Sequence, residues 1–343
     1  MVYNKYIGII GGTGTIGSII VKYLLQLQTH FHVLIGGRRS IKEISMSTFY
    51  NSERLKYNQM NYNNDVELDN FCSQCLLVIN AVGPSFKIND KIALHALRNN
   101  CHYIDIGGYG ILRDLLKPYE KSIEAQKLCF IIGVGWMPGI SGVFSKTIIE
   151  THLNSPENTN FNIYYGAVDN WSYSSTYDLA ASSMGKTRSY VYSHGKEIQV
   201  SPFRYTHHKF FPFIGHKKIC MPSFDEQLTQ LATSLKQIRK ISTFIMLNDY
   251  ISMGKFMFIK IFYKHNLNKA TLMLQDDYQR LVKKENKWGS VICQVSKIEP
   301  ERKIDTFYYL YTKNNLLYTA LPAVITTQYI LEGKTKRSEE HTS

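Results

Sequence analysis

The chain has 343 residues, of which 44% are hydrophobic and 20% charged, with a formal net charge of +13. That size and balance describe about two globular domains with an ample core and exclude a disordered chain. The positive charge suits anionic ligands such as a dinucleotide or carboxylates. No aromatic-basic RNA motif or zinc-finger spacing accompanies it, so nucleic acid is not an expected partner.

The first element is the apolar strand at residues 5–10, which enters without the pattern of a signal peptide. A glycine-rich turn follows, Gly11-Gly12-Thr13-Gly14-Thr15-Ile16-Gly17, and then an apolar helix over 16–27. Gly12, Gly14 and Gly17 have the G-x-G-x-x-G spacing. On this reading Gly12 permits a tight turn, Gly14 lets a pyrophosphate approach the backbone, and Gly17 lets helix and strand pack closely. The helix start offers unpaired N–H groups and a positive dipole end to phosphates.

The second strand, 32–36, ends in Gly36-Gly37-Arg38-Arg39. An NAD site places an acidic residue there on the ribose 2′-OH. Two arginines and no carboxylate suit a 2′-phosphate, so the expected cofactor is NADP(H) in preference to NAD(H). Further strands are predicted near 55–60 and at 76–82, 102–106 and 128–134. Helices are predicted near 41–49 and at 66–74, 88–99 and 111–126. This alternation implies a doubly wound parallel sheet, with ligands at the carboxyl ends of its strands. Three loops are therefore informative: Asn80-Ala81-Val82-Gly83-Pro84, Asp105 to Tyr109, and Gly135-Trp136-Met137-Pro138-Gly139.

Cys72-Ser73-Gln74-Cys75 precedes an apolar strand and has no second pair to complete a zinc site, so it reads as structural. After about residue 140 the pattern changes to α+β. Strands are predicted at 162–168, 288–296 and 306–312, helices near 225–238 and 269–284, and a hairpin around His194-Gly195-Lys196. His207, His208 and His216 give no expected metal site, because neighbouring strand residues point to opposite faces. The most membrane-like stretch, Thr243–Phe262, is interrupted by Asp249, Lys255 and Lys260 and reads as a buried or partly amphipathic helix. Tyr192 and Lys196 match Y-x-x-x-K, but Gly195 and the strand-turn-strand pattern keep them off a helix. An apolar helix over 316–331 returns to the first domain. Arg337–Ser343 shares no pattern with what precedes. It resembles translated sequencing-adapter read-through, which places the natural C-terminus beyond about residue 336 out of view.

The expected architecture is α/β: a Rossmann-type doubly wound parallel sheet over 1–139, completed by the returning helix 316–336. An α+β substrate domain over 140–315 is inserted into it, and 337–343 is a non-native tail. In order, the chain carries Gly-Gly-Thr-Gly-Thr-Ile-Gly, Gly37-Arg38, Val78 to Pro84, His102-Tyr103-Ile104-Asp105 and Pro138-Gly139-Ile140-Ser141-Gly142. Phe210 to Gly215 with Asp225-Glu226, Leu321 to Val324 and Leu331-Glu332-Gly333 follow. In this set the chain resembles the saccharopine dehydrogenase-like (saccharopine reductase-like) oxidoreductases over nearly all of 5–336.

The resemblance implies nicotinamide-dependent hydride transfer at a C–N bond, as in reduction of an imine formed from an amino acid and an aldehyde. It implies a small-molecule partner, a carboxylate-bearing imine or carbonyl compound. No nucleic acid and no transmembrane segment are expected, the location is expected to be cytoplasmic, and a homodimer is left open. Where the family's lysine-pathway reductases carry Gly-Leu-Asp-Pro-Gly, this chain has Gly135-Trp136-Met137-Pro138-Gly139. Where they carry Tyr-Cys-Gly-Gly it has Tyr164-Tyr165-Gly166-Ala167. A carboxylate and a thiol have given way to an apolar and an aromatic side chain, so a substrate other than saccharopine is expected.

Cofactor binding is assigned to Gly12, Thr13, Gly14, Thr15, Ile16, Gly17, Arg38, Arg39 and the loop Asn80, Ala81, Val82, Gly83 and Pro84. Asp105 and Tyr109 are the candidates for acid/base chemistry. Gly108, Trp136, Met137, Pro138 and Gly139 are candidates for the substrate wall, and Arg188 and Arg204 for carboxylate clamps. No metal is expected. Two alternatives stay open on sequence alone: an NADP-binding redox sensor or interaction module without turnover, and an atypical short-chain reductase.

Overall fold

A computed structural model describes residues 5–27, 31–40, 52–153, 156–185, 189–224, 226–263 and 265–335. The predicted helix near 41–49, Asp225, Arg188 and the tail 337–343 lie outside the described residues. The chain forms two compact units, Met1–Gly139 with Leu316–Ser343, and Ile140–Asn315.

The first unit runs β1 (Tyr6–Ile10), α1 (Thr15–Gln26), β2 (Val33–Gly37), β3 (Leu55–Gln59), α2 (Asp65–Cys72), β4 (Cys75–Asn80), α3 (Ser85–Ile88), α4 (Lys91–Arg98), β5 (His102–Asp105), α5 (Tyr109–Leu116), α6 (Glu120–Ala125) and β6 (Phe130–Ile131). Its six strands lie in the order β3-β2-β1-β4-β5-β6 and all pair in parallel. The near-continuous apolar runs of β1, β2 and β4 are what a sheet covered on both faces requires. One face packs Leu68, Phe71, Ile92, Ala96 and Leu112 from α2, α4 and α5. The other packs Ile20, Val21 and Leu24 of α1 with Ala320, Ala323 and Val324 from the helix that returns at the C-terminal end.

Predicted elements shorten where the backbone is interrupted. The helix expected over 88–99 is split by Asn89, which has φ +52°. The one expected over 111–126 is interrupted by a 3₁₀ turn at Lys117–Tyr119 holding Pro118, which lacks an N–H for the ladder.

The second unit runs α7 (Ile140–His152), β7 (Thr159–Val168), α8 (Tyr173–Gly185), β8 (Ser189–Ser193), β9 (Lys196–Val200), α9 (Pro202–Tyr205), β10 (His207–Phe211), β11 (His216–Pro222), α10 (Glu226–Ser234), β12 (Lys240–Leu247), α11 (Tyr250–Phe262), α12 (Leu267–Val282), β13 (Trp288–Ile298) and β14 (Lys303–Thr312). The final helix, α13 (Asn315–Leu331), returns to the first unit. The second sheet is mixed, in the order β10-β11-β12-β7-β13-β14, with the β8–β9 hairpin joined to β12. Only β12 and β7 pair in parallel. The hairpin turns on His194 and Gly195, both at positive φ (49° and 71°), as a tight two-residue turn requires.

The stretch Thr243–Phe262 is not one helix. Ile241 to Leu247 form a buried strand of the second sheet, and the helix starts only after Asp249, whose carboxylate accepts from Ser252 N at 2.8 Å as its N-cap. A run rich in β-branched and aromatic residues fits a doubly covered strand, and the Asn248-Asp249 pair separates it from the helix.

Candidate cofactor and active site

The loops that follow β1, β4 and β5 meet at the carboxyl edge of the parallel sheet. Gly11 takes φ +84°, so the turn conformation that favours glycine falls there and not on Gly12. Gly11 N donates to Gly36 O and Gly14 N to Gly11 O, both at 2.9 Å, which closes the turn against β2. At Gly12 an added Cβ would lie 2.9 Å from the Ile35 side chain. At Gly17 it would lie 2.2 Å from Gly11 O, inside the backbone of the preceding turn.

Gly14 is different. It is the N-cap of α1 at an ordinary extended conformation (φ −79°, ψ 175°), and an added Cβ would meet only Gly11 O, at 3.1 Å. The space above it is otherwise open. There is no side-chain cap and no acidic residue in the first turn of α1. The N–H groups of Thr15, Ile16 and Gly17 have no acceptor within the helix, and they carry its positive dipole end. This cradle fits a phosphate group.

Thr13 borders the end of β2: a Cβ built on Gly37 would sit 3.5 Å from Thr13 Oγ1. The next two residues are held by their backbone. Tyr57 OH donates to Arg39 O at 2.5 Å, and Gln59 Nε2 to Arg38 O at 3.4 Å. Both arginine side chains are exposed, and no carboxylate among the described residues pairs with either. The strand end is therefore positioned while its guanidinium groups face solvent.

The loop Asn80–Pro84 is locked to the glycine turn. Ala81 N donates to Ile10 O at 2.9 Å and Val82 N to Asn80 Oδ1 at 3.0 Å. A Cβ on Gly11 would strike Val82 and the Ala81 backbone at 2.9–3.0 Å. Asn80 pairs in register with Asp105, and its Nδ2 donates to Asp105 Oδ2 at 2.8 Å. Tyr103 OH donates to the same oxygen at 2.6 Å, and Gly107 N to Asp105 Oδ1 at 2.9 Å. Asp105 is only 2% exposed. Burial, and then the neighbouring Asp105 charge, push the Tyr103 phenol well above its ordinary pKa, which keeps it protonated as the donor.

Sequence reasoning singled out Asn80 and Asp105 but not Tyr103. The available signal was its position two residues before Asp105, on the same face of one strand. Gly108, at φ +63°, is the N-cap of α5, and Leu112 N bonds to its carbonyl at 2.8 Å. Tyr109 opens that helix; its side chain lies outside the described residues.

The loop Gly135–Gly139 is closed on itself. Gly135 N donates to Pro138 O at 3.0 Å, and Gly139 sits at φ +125° where a Cβ would lie 2.3 Å from Gly135 O. Trp136 and Met137 are half-buried, and the Trp136 ring stands edge-on to Tyr318 of α13 at 5.9 Å. Among the sequence-named residues of the first unit, the structure thus gathers the glycine turn, Asn80 to Val82, Asp105 and Gly107 to Gly108 at one sheet edge. Arg204 belongs to the second unit, exposed on the short helix α9.

Tyr192 and Lys196 lie on opposite strands of the β8–β9 hairpin, where Tyr192 pairs with Glu197 and donates to Oε2 at 3.3 Å. The helical spacing that a Tyr–Lys pair needs is absent. The described residues hold no group of His, Cys, Asp or Glu able to bind a metal. Cys72, Cys75 and Cys101 are buried free thiols. Burial pushes the Cys101 thiol up to about 11 and raises the other two further, which removes them from thiolate chemistry.

A six-stranded parallel sheet in this order, with a glycine cradle at the start of its first helix, defines a Rossmann-type dinucleotide-binding domain. Residues 7–129 match the family described as Saccharopine dehydrogenase NADP binding domain, so over that stretch the chain is similar to such a domain. None of the curated proteins compared matches the sequence.

Among solved structures, the chain is similar to apo saccharopine dehydrogenase (L-Glu forming) from Saccharomyces cerevisiae. That likeness has a TM-score of 0.65 at 14% identity and covers 97% of this chain and 92% of that one. The DAP dehydrogenase of C. glutamicum in complex with DAP gives a TM-score of 0.46 at 10% identity, over 94% of this chain and 86% of that one. The likeness to the yeast enzyme shows a shared fold. No helix among the described residues is long and apolar enough to cross a membrane.

Proposed function

We propose that this protein is an NADP(H)-dependent oxidoreductase working at a C=N (imine) bond or a related C=O bond, on a carboxylate-bearing substrate other than saccharopine. The observation that carries the reading is the open cradle at Gly14 beside a strand end with two arginines and no acidic residue. The match to an NADP-binding domain family and the fold shared with the yeast enzyme support it.

Gly12 to Gly17 would hold the pyrophosphate through backbone N–H groups, and Arg38 and Arg39 the 2′-phosphate. Asn80 to Pro84 would form the floor beside the nicotinamide, which supplies or accepts the hydride when bound. Asp105 would position that floor: Tyr103, Asn80 and Gly107 engage its carboxylate. Gly108 and the Trp136-Met137-Pro138-Gly139 loop would shape the substrate wall, with Tyr109 able to donate a proton. Arg204 and Arg188 would clamp carboxylates. A cytoplasmic location fits this chemistry.

Arg38→Ala is expected to weaken NADPH far more than NADH. One charge-assisted hydrogen bond contributes about 1.5–3 kcal/mol, so the NADPH affinity should fall roughly 10- to 150-fold. Titration of both cofactors checks it; equal weakening would assign Arg38 to stacking on adenine.

The substrate assignment rests on Met137. A carboxylate at that place would hold a cationic amine, whereas a thioether leaves such a charge unpaired. The wild type should therefore oxidise NADPH with amino acid and aldehyde pairs that carry an alkyl or aryl end. Met137→Asp should shift preference towards substrates with a second amine. Efficient turnover of saccharopine precursors by the wild type would overturn this assignment. Substrate-independent NADPH binding with no oxidation by any pair would overturn the enzymatic reading itself.

A further inference from the structure

One face of the second sheet is polar at one end, and several of its side chains lack partners. Alternation along β7 puts Asn160, Asn162 and Tyr164 on this face. The registers set Lys240 and Ser242 of β12 beside the two asparagines, and Ser296 and Gln294 of β13 on their other side. Among the described residues, the side chains of Asn160, Asn162 and Ser242 make no hydrogen bond, and Asn160 Oδ1 is buried without a donor. Asn162 is only half-buried, so its amide stays accessible. Polar groups withdrawn from water normally find a partner, and these have none within the protein.

A cation crosses the same face. Lys209 of β10 is half-buried, with Nζ 5.3 Å from the Tyr164 ring centroid and 5.0 Å from that of Phe307. It donates to Gln294 Oε1 at 2.9 Å, and Tyr164 OH donates to the same oxygen at 3.1 Å. Gln294 Nε2 donates to Ser296 Oγ at 3.2 Å, which fixes the amide in that orientation. An ammonium has three N–H groups. Here one has an oxygen acceptor, and no carboxylate among the described residues pairs with Lys209. Asp305 is already engaged, by Ser296 Oγ at 2.5 Å and Lys303 at 3.2 Å. Lys240, beside Asn160, has only Tyr205 OH, at 3.4 Å. Withdrawing a cation from water with no anion beside it is costly. We infer that this face is a binding site for a small carboxylate that also carries a hydrogen-bond donor, an amino acid or a hydroxy acid. Lys209 Nζ meets the carboxylate, and the amide of Asn162 meets the donor. A phosphate would call for more N–H groups or an arginine fork. The site is built within the second unit and is separate from the cofactor cradle of the first.

The test is calorimetric titration of the full chain, without NADPH, with L-glutamate, L-malate, acetate and inorganic phosphate. Saturable binding is expected for glutamate or malate, tighter than for acetate, which has the carboxylate and no donor. Lys209→Met keeps an apolar stem beside Tyr164 and Phe307 and removes the ammonium. It should weaken that binding by about tenfold or more, with NADPH affinity unchanged. Asn162→Asp sets a carboxylate of the chain itself on this face. It should abolish binding and raise the melting temperature, since the unpaired cation gains an anion. This second variant keeps the inference testable should Lys209→Met fold poorly. No saturable binding of either acid overturns the inference, as does acetate or phosphate binding as tightly. So does binding that persists unchanged in both variants, which would place the ligand elsewhere on the chain.

Discussion

Gly14→Val should abolish NADPH binding while the protein keeps its fold. The backbone at Gly14 has φ −79° and ψ 175°, which valine adopts readily. The only neighbour an added Cβ would meet is Gly11 O at 3.1 Å, a contact relieved by a shift of a few tenths of an ångström. The branched side chain would instead fill the space where a phosphate approaches the start of α1. Losing two charge-assisted hydrogen bonds at about 1.5–3 kcal/mol each weakens binding by more than about 100-fold.

Gly17→Ala is the matched contrast. There the new methyl would lie 2.2 Å from Gly11 O and 2.8 Å from Gly12 Cα, so backbone must move. Overpacking of this kind costs about 1–3 kcal/mol or more, and the melting temperature should fall. Thermal melting and NADPH titration of both variants separate the two roles. Normal NADPH affinity in Gly14→Val, with its melting temperature unchanged, would remove the basis of the cofactor site.

That contrast also marks how far the residues could be read in one dimension. A strand, a glycine run and an apolar helix are local patterns, and so is the β-α alternation that leads to the parallel sheet. The particular glycine at positive φ is not local. It depends on where the turn docks against Ala81 and Val82, and it is Gly11. The second unit was harder. Its central strand β12 joins an apolar run to a helix through two residues, so hydropathy alone merges them. Helix α8 begins Tyr-Ser-Ser-Thr-Tyr, a composition that favours turns and strands as readily as helix. Tyr103, Asn80 and Asp105 meet only because β4 and β5 pair in one register.

The Asp105 network gives the second large effect. Asp105→Ala would leave the Tyr103 hydroxyl, Asn80 Nδ2 and Gly107 N–H without their acceptor, and Tyr103 and Asn80 are 0% and 3% exposed. Each unsatisfied buried group costs about 1–3 kcal/mol, so the loss is on the order of 3 kcal/mol or more. The melting temperature should drop by roughly 10 °C. Asp105→Asn then distinguishes a positioning carboxylate from a proton-transferring one. Asp105 Oδ2 accepts from two donors and Oδ1 from a third, so an amide must turn its NH₂ towards a donor whichever way it sits. A positioning role therefore predicts that Asn lowers the melting temperature and weakens NADPH together, because the loop from Asn80 loses its anchor. Turnover should fall in step, with the pH profile keeping its shape. A proton-transferring role predicts the reverse: stability and NADPH affinity near the wild type, a collapse of kcat, and loss of one limb of the pH profile. The hydrogen bonds that already occupy this carboxylate favour the first outcome.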